Sequence, residues 1–291
     1  MTGRLLLLCP GQGGQHPAMF DLARTHAGAR DFLSQCALPA DTQALFENCV
    51  AQPAIVAATL ATWLALKDVL PAPALVAGYS IGELSAYGVA GALAPAEGVR
   101  LAGARAALMN AAAAGQTQGL AAVSGVDVAQ VGSVIDVAIV TGHDSCIAGG
   151  TLEQLDALPA RLPAARVQRL PVGVASHTAL MAGAVQPFTA LLEQAAFAPW
   201  KVPVLAGVDA SRVLRRERAI HSLARQLSET IAWASCMDAA SEAGITVALE
   251  LGPGAALARM LQARHPQIAC RSVADFHTIE GIASWVARER D

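Results

Sequence analysis

The sequence contains no pair of cysteines at C-x-x-C spacing, although it has six cysteines in 291 residues. Zinc sites and dithiol redox sites commonly use such closely spaced pairs. A chain of this size also needs no disulfide framework to hold its fold. The cysteine pattern therefore predicts no metal site and favours a reducing, cytoplasmic environment.

Long runs of like charge are also absent, and the formal net charge is only −3. This balance gives no reason to expect nucleic-acid binding. No apolar run approaches the roughly 20 residues needed to span a bilayer, so we expect no association with a membrane. The apolar stretch LLLLC at residues 5–9 is too short for a signal peptide and is interpreted as the first strand.

Hydrophobic residues make up 54% of the chain, which is enough to bury a sizeable core. Strands and helices alternate along the sequence, and this favours an α/β fold with a largely parallel sheet. Between residues 118 and 171 the predicted order is βαββαβ, which is typical of a ferredoxin-like subdomain. We therefore predict a core formed by residues 1–117 and 172–291 and interrupted by this subdomain. An amphipathic helix is predicted around residues 220–233.

The stretch VAGYSIGELSAYG, residues 76–88, places Ser80 between two glycines and directly after an apolar run. The run predicts a buried strand, and the small apolar residues that follow predict a helix. A serine at such a junction lies on a sharp turn, with its hydroxyl directed toward a helix N-terminus. Ser80 is therefore the candidate nucleophile, and an ordinary strand-to-helix turn is the alternative.

A second glycine-rich loop, CPGQGGQ, follows the first strand. It does not match a dinucleotide-binding fingerprint, because His16 replaces the third glycine and no acidic residue ends a second strand at the expected distance. Such a turn can instead present a backbone N–H group to a neighbouring elbow as an oxyanion donor. Gln12 is the natural donor, and the alternative is that the glycines only make a tight turn.

A nucleophilic serine needs a base, and His177 is the candidate among the seven histidines. It follows RLPVGVAS, a predicted strand and exit loop that can bring it to the sheet edge of Ser80. Arg105 lies on the apolar stripe of a predicted helix at residues 97–114. Burial of a guanidinium without an anionic partner is costly. Arg105 therefore either reaches the helix rim or binds a carboxylate of the substrate.

Six motifs, in unbroken order, resemble those of the acyltransferase family typified by malonyl-CoA:acyl carrier protein transacylase. They are PGQGGQ at 10–15, AQPAIV at 51–56, GYSIGE at 78–83, Arg105 in AGARAALM, VASHTALM at 174–181 and ELGPG at 250–254. The resemblance implies a hydrolase-like α/β core with an inserted ferredoxin-like subdomain. It also implies an acyl transfer that needs no permanently bound cofactor and no metal.

By the same resemblance, Ser80 is the nucleophile and His177 is its general base. The backbone N–H groups of Gln12 and Ile81 would form the oxyanion hole. The substrate would be a CoA thioester, malonyl-CoA, and the acceptor would be an acyl carrier protein with a phosphopantetheine-type arm.

Three further residues receive roles from the resemblance. Arg105 would bind the malonyl carboxylate, and Gln52 would line the acyl pocket. The backbone carbonyl of Gln226 would orient His177 in place of the aspartate of a catalytic triad. Ser176 is small where other members have bulkier residues that limit the acyl pocket, so the resemblance does not predict exclusion of a methylmalonyl group.

Two departures indicate a subfamily. Tyr79 stands where members that act in fatty-acid synthesis usually have histidine, and GHDS at 142–145 replaces an asparagine-rich turn. With the short chain and the AQPAIV segment after LFENC, these features look most similar to the acyltransferase (epsilon) subunit of bacterial malonate decarboxylase. Its partners would then include a dedicated carrier protein and other subunits of that enzyme.

Other functions stay open at this point. One is a transacylase of fatty-acid or polyketide synthesis, another is a serine hydrolase or thioesterase, and a third is a catalytically silent subunit. A hydrolase predicts a triad acid between Ser80 and His177, and Asp127, Asp136 and Asp144 all fall in that interval. The basic run at residues 211–218 is either a site for CoA phosphates or an acidic carrier, or a solvated face.

Overall fold

Two β-sheets organise the chain in the computed structural model, which describes residues 3–39, 41 and 43–291. The strands within these residues are β1 Arg4–Cys9, β2 Leu75–Gly78, β3 Gln118–Ser124, β4 Asp136–Val140, β5 Ser145–Thr151, β6 Arg166–Arg169, β7 Val204–Leu205, β8 Arg212–Val213, β9 Ile245–Glu250 and β10 Ala269–Ser272. The larger sheet has the order β10-β9-β1-β2-β7-β8. All its neighbouring strands are parallel except β7 and β8. The predicted α/β class with a mainly parallel sheet is confirmed.

Helices cover both faces of this sheet or connect its strands. Those in the described residues are α1 Asp21–Arg24, α2 Ala27–Ser34, α3 Asn48–Leu66, α4 Gly82–Val89, α5 Pro95–Ala112, α6 Val128–Gly132, α7 Leu152–Asp156, α8 Leu158–Arg161, α9 Ala182–Gln194, α10 Arg216–Arg225, α11 Trp233–Glu242, α12 Ala256–Arg264 and α13 Ile279–Arg290. Short 3-10 turns lie at Pro17–Phe20, Ala44–Phe46, Ala179–Met181 and Val273–Asp275.

The central strands explain where the candidate site forms. In β1 every residue after Arg4 is buried, as expected for a parallel strand that is covered on both faces. The register pairs Cys9 of β1 with Gly78 of β2, so the carboxyl ends of the two strands lie side by side. The loops that leave these strands therefore meet at one edge of the sheet, which is where ligands bind in open α/β sheets.

The smaller sheet is antiparallel throughout and has the order β4-β5-β3-β6. With α6 between β3 and β4, it follows the βαββαβ order predicted for this segment, except that two short helices, α7 and α8, replace the single helix predicted between β5 and β6. It has its own apolar core, which includes Val123, Val131 and Leu155. An isolated parallel bridge between Ile139 and Ile231 connects it to the rest of the chain.

The prediction of a single amphipathic helix around residues 220–233 is wrong. Two helices occupy this region, because α10 ends at Arg225 and α11 begins only at Trp233. Ile231 lies between them in an extended bridge, where it exchanges hydrogen bonds with β4 residues Ala138 and Val140. A tertiary β-bridge thus overrides the local helical periodicity, and it leaves an irregular turn at residues 226–230.

The expectation that no stretch approaches membrane-spanning length also needs correction. Among the described helices, α3 has 19 residues and is apolar enough to pass that test by length and composition. However, 72% of its most apolar window is buried inside the protein, where α3 packs mainly against α5. Because its apolar surface is already covered, α3 is the core helix of a globular domain.

Candidate active site

Ser80 occupies the sharp turn between β2 and α4. Its φ of 55° lies in the left-handed region, which is uncommon for a residue with a side chain. The flanking glycines are required by close packing. A Cβ atom on Gly78 would lie 2.2 Å from the backbone nitrogen of Glu83, and one on Gly82 would lie 2.1 Å from the carbonyl oxygen of Cys9. The sequence therefore forms the strained elbow on which nucleophilic serines are found.

The loop after β1 packs directly on this elbow. A Cβ atom on Gly11 would lie 2.7 Å from the carbonyl oxygen of Tyr79 and 3.6 Å from the Cβ atom of Ser80. The Gln15 side chain holds the loop, since its Oε1 accepts from Gly13 N–H at 2.6 Å and its Nε2 donates to the Leu45 carbonyl at 3.2 Å.

The residues predicted to supply the oxyanion donors both belong to this packed region. Gln12 follows Gly11 in the packed loop and is half-buried, and Ile81 follows Ser80 at the N-cap of α4. Donors from a neighbouring loop and from the residue after the nucleophile are the arrangement that an oxyanion hole requires.

His177 lies against Ser80, 97 residues away in sequence. Its Nε2 atom is 2.8 Å from the Ser80 Oγ atom. Its Nδ1 atom makes a short hydrogen bond to the backbone carbonyl of Gln226. Because a carbonyl oxygen can only accept, Nδ1 carries the proton, and Nε2 is left to accept from the serine hydroxyl. The ring is thereby held in the tautomer that a general base needs.

The backbone of His177 is also fixed. Its φ is 64°, and its N–H group donates to the carbonyl of Leu227 at 2.8 Å. The predicted strand before it ends at Arg169, so an irregular loop carries His177 to the site. Contacts with the turn after α10 therefore determine the position of this histidine.

The pKa of His177 is lowered to about 3, first by burial and then by the positive charge of Arg105, while the hydrogen bond to Gln226 opposes both effects. The side chain is only 2% exposed. At neutral pH the imidazole is therefore uncharged and able to take a proton.

Arg105 is buried on α5, at 2% exposure, and does not reach the helix rim. Its Nη1 atom donates to the Oε1 atom of Gln52 at 2.7 Å. Its Nη2 atom is buried without a hydrogen-bond partner among the residues that the structure describes. Burial lowers the pKa of Arg105 to about 10, while the charge of Glu83 raises it. The guanidinium is therefore charged at neutral pH and retains an unused donor.

Gln52 on α3 is fully buried, and its amide orientation is determined by its neighbours. Its Nε2 atom donates to the Oδ1 atom of Asn48 at 2.7 Å and to the sulfur of Met109 at 3.4 Å. With the amide nitrogen engaged there, the Oε1 atom faces Arg105. Gln52 thus fixes one edge of the guanidinium and leaves the other available.

Glu83 is a site residue that sequence reasoning missed. It is fully buried in the first turn of α4, and its Oε2 atom accepts from Gly207 N–H and from Gln226 Nε2, both at 3.0 Å. Burial raises its pKa to about 8, an effect that is opposed by the hydrogen bond from Gly207 and the charge of Arg105. The available signal was a glutamate three residues after Ser80 in an otherwise apolar helix.

The aspartates that a catalytic triad would require are engaged elsewhere or do not contact His177 Nδ1. That atom faces the Gln226 carbonyl, not a carboxylate. Asp127 caps α6 through the N–H of Ala129, and Asp144 lies 3.6 Å from His143. The His177 ring is therefore oriented by a backbone carbonyl.

A cavity of about 440 Å³ lies between the elbow and the smaller sheet. Gln12 and Tyr79 line it on one side, Ser124 and Ser145 on another, and Arg259 lies at α12. Tyr79 and Gln12 place the cavity beside the elbow, and a cleft of this size can admit a narrow, flexible substrate arm.

The basic segment at residues 211–218 is partly neutralised by local contacts. Arg218 forms an ion pair with Asp209 and also donates to Ser211 Oγ at 3.1 Å. Arg216 donates to the backbone carbonyl of Glu193. These contacts favour the solvated-face interpretation of the segment for two of its arginines.

Comparison with known proteins identifies the family. Residues 6–285 match the model of the acyl transferase domain. The chain belongs to the acyl transferase domain family. It is an acyltransferase.

The chain is 32% identical over 294 residues to the malonyl CoA-acyl carrier protein transacylase of Mycobacterium bovis, covering 92% of this chain and 96% of that protein. Its fold is similar to that of the malonyl CoA-acyl carrier protein transacylase of Coxiella burnetii, with a TM-score of 0.92, 25% identity and coverage of 100% and 99% of the two chains. It is also similar to a malonyl-transacylase solved in complex with a type II PKS acyl-carrier protein, with a TM-score of 0.87, 26% identity and coverage of 99% and 100%.

Proposed function

We propose that this acyltransferase moves a malonyl group from malonyl-CoA, through a malonyl ester on Ser80, to the phosphopantetheine thiol of an acyl carrier protein. The observation that carries the proposal is the unused donor of Arg105. A buried, charged guanidinium whose Nη2 atom has no hydrogen-bond partner among the described residues fits a substrate that brings its own carboxylate. Malonyl thioesters have this group, whereas acetyl and other simple acyl thioesters lack it.

The first half-reaction begins when His177 Nε2 removes the proton from Ser80 as the oxygen attacks the thioester carbonyl. The resulting oxyanion would accept hydrogen bonds from the N–H groups of Gln12 and Ile81, each worth about 10² to 10³ in rate. When the C–S bond breaks, the protonated imidazole returns its proton to the CoA sulfur. CoA leaves, and the malonyl group remains on Ser80 as an ester.

The second half-reaction reverses these roles. His177 takes the proton of the carrier's thiol, the sulfur attacks the malonyl ester, and the proton passes back to Ser80 when the ester C–O bond breaks. Two sequential half-reactions through one covalent intermediate predict ping-pong kinetics. In both halves, the Gln226 carbonyl keeps His177 in the reactive tautomer, and Gln52 keeps Arg105 directed toward the malonyl carboxylate.

The named relatives support the fatty-acid or polyketide alternative better than the malonate decarboxylase hypothesis. The first is called a malonyl CoA-acyl carrier protein transacylase, and one similar structure contains a type II PKS acyl-carrier protein with its transacylase. We therefore assign the acceptor to a carrier of fatty-acid or polyketide synthesis. Neither comparison supports a malonate decarboxylase carrier or contacts with other subunits of that enzyme.

The division of the chain is part of the same proposal. We infer a hydrolase-like core from residues 1–117 and 172–291, and a ferredoxin-like subdomain from residues 118–171. The order β4-β5-β3-β6 with helices on the intervening connections supports the second assignment. A cytoplasmic location is proposed as well, and the six free cysteines of the structure are consistent with it.

The deciding experiment uses malonyl-CoA labelled in the malonyl group. The expected result is label on Ser80 in the absence of carrier, followed by transfer to a carrier protein that bears its phosphopantetheine arm. The same carrier without the arm is the matched control and should receive no label. Release of the label as free malonate, with none on the carrier, would instead identify a hydrolase.

A further inference from the structure

The turn after α10 holds His177 at two points. The carbonyl of Gln226 accepts from the ring Nδ1 atom, and the carbonyl of the next residue, Leu227, accepts from the His177 backbone N–H at 2.8 Å. The backbone of His177 has a φ of 64°, which is sparsely populated and persists only where the surroundings impose it. The position of the base therefore depends on the position of this two-residue turn.

The turn is itself anchored by a side chain. Gln226 is 1% exposed, and its Nε2 atom donates to the Oε2 atom of Glu83 at 3.0 Å. The same Glu83 oxygen accepts from the N–H of Gly207, in the loop after β7. Glu83 belongs to the first turn of α4, three residues after Ser80. One carboxylate thus joins the helix that follows the nucleophile to the turn that holds the base.

We propose that Glu83 is a positioning residue for acyl transfer, because its bond to the Gln226 side chain keeps the Gln226 carbonyl on His177 and so keeps His177 on Ser80. The inference rests on the proposed function, since it assumes that the Ser80–His177 pair performs the chemistry. Glu83 touches neither atom that reacts. It acts through Gln226.

The expected size of the effect follows from geometry. Displacement of a reacting group by about 1 Å can reduce a rate by about 10²-fold. A loosened turn would displace His177 without removing it, so we expect roughly a 10- to 100-fold fall in the acylation rate. Substrate binding depends on Arg105 and on the cleft, so the malonyl-CoA concentration that gives half the maximal rate should change little.

The first test is Gln226→Met, which removes the amide but keeps the backbone carbonyl and a similar side-chain volume. The measurement is the single-turnover rate of Ser80 acylation by malonyl-CoA, with its half-saturating concentration. A 10- to 100-fold lower rate at an unchanged half-saturating concentration is expected, as argued from displacement of the base. An unchanged rate would overturn the inference.

Glu83→Gln and Glu83→Ala separate hydrogen bonding from packing. Glutamine can offer one oxygen to both donors, and it resembles the neutral carboxyl that is present below the raised pKa of about 8. We expect Glu83→Gln to acylate within roughly threefold of the wild type, because both hydrogen bonds can be kept. Glu83→Ala should lose as much as Gln226→Met. Equal, full activity of Glu83→Ala and Glu83→Gln would contradict the proposal.

The double variant Glu83→Ala/Gln226→Met tests the connection between the two residues. If they act through one bond, the double variant should be no slower than Glu83→Ala alone, whereas multiplied losses would indicate independent roles and overturn the inference. Ser222→Ala is the matched control, because Ser222 is buried on α10, its hydroxyl donates to the Arg218 carbonyl, and the substitution keeps the backbone carbonyl that accepts from Gln226 N–H. It should leave the acylation rate unchanged.

The failure of this inference is distinguishable from failure of the proposed function. If malonyl-CoA does not label Ser80 of the wild type, the proposed function is wrong, and the inference about Glu83, which assumes that function, is wrong with it. If the wild type is labelled and Gln226→Met is labelled equally fast, only the role of Glu83 is refuted.

Discussion

The Nη1 atom of Arg105 lies 2.7 Å from the Oε1 atom of Gln52, and this contact occupies one edge of a guanidinium whose Nη2 atom has no partner among the described residues. The neutral amide oxygen of Gln52 accepts a hydrogen bond from the Arg105 guanidinium but does not neutralise its positive charge. The charge of Arg105 is therefore available to a second, anionic group, and it also contributes to the low pKa of His177.

Arg105→Ala should separate malonyl from acetyl substrates. Loss of the guanidinium leaves a malonyl carboxylate desolvated and unpaired, which costs about 2 to 5 kcal/mol of transition-state stabilisation. Acetyl-CoA makes no such contact, so its turnover should hold or rise. The measurement is kcat/KM for both thioesters.

Two further variants control the Arg105 experiment. Arg105→Lys should recover little malonyl activity, because lysine lacks the planar fork of donors. Arg100 lies on the same helix and contacts Glu97 at the surface. Because Arg100→Ala removes this surface contact and leaves Arg105 in place, it should change kcat/KM for neither substrate. Equal losses for malonyl-CoA and acetyl-CoA in Arg105→Ala would mean that Arg105 supports the structure and does not recognise the carboxylate.

Ser80→Ala should abolish the covalent intermediate and leave the fold intact. The change removes one half-exposed hydroxyl at a turn, so the free energy of unfolding should shift by little more than about 1 kcal/mol. Mass spectrometry after incubation with malonyl-CoA would detect the acyl-enzyme. Ser85→Ala, a buried serine on the next helix, should still be labelled. Malonylation of the Ser80→Ala protein at another residue would refute Ser80 as the nucleophile.

His177→Ala should slow acylation of Ser80 by at least about 10²-fold, because a general base is lost. The single-turnover rate with malonyl-CoA measures this step directly. His221→Ala provides the comparison, since His221 is an exposed histidine on α10 and should be dispensable. If His177→Ala acylates Ser80 as fast as the wild type, another residue must act as the general base.

The acylation rate should also be nearly independent of pH between 7 and 5. Because burial lowers the pKa of His177 to about 3, the imidazole stays in its neutral, proton-accepting form throughout this range. With an ordinary pKa near 6.5, the neutral fraction would instead fall roughly 25-fold across the same range. Malonyl-pantetheine is the suitable substrate, because it carries no phosphate that titrates there. A fall with a midpoint near 6.5 would show that His177 is solvated in the working enzyme.

Local sequence was sufficient for the parts of the site whose conformation depends on neighbours in the chain. The two glycines around Ser80 predict the elbow, since a Cβ atom at either position would collide with backbone atoms. Helical spacing places Arg105 on a buried face, and the structure buries it. The α/β class and the βαββαβ segment follow from the order of strands and helices in the same way.

Other features depended on contacts between distant segments. Periodicity alone predicted one helix around residues 220–233, but the bridge between Ile231 and Ile139 divides it into two. That division creates the turn whose carbonyls hold His177. A local sequence pattern cannot predict whether a backbone carbonyl accepts a hydrogen bond within its own helix or from a distant histidine.

The sequence by itself thus determined the turn that carries Ser80, the buried arginine and the class of fold, because steric limits and side-chain periodicity act over a few residues. Tertiary structure alone decided that His177 meets Ser80 across 97 residues and that Glu83 meets Gln226 across 143. Those pairings arise from the register of packed elements. A hydrogen bond between side chains has a range of about 3 Å, so only the assembled fold can bring its partners within reach.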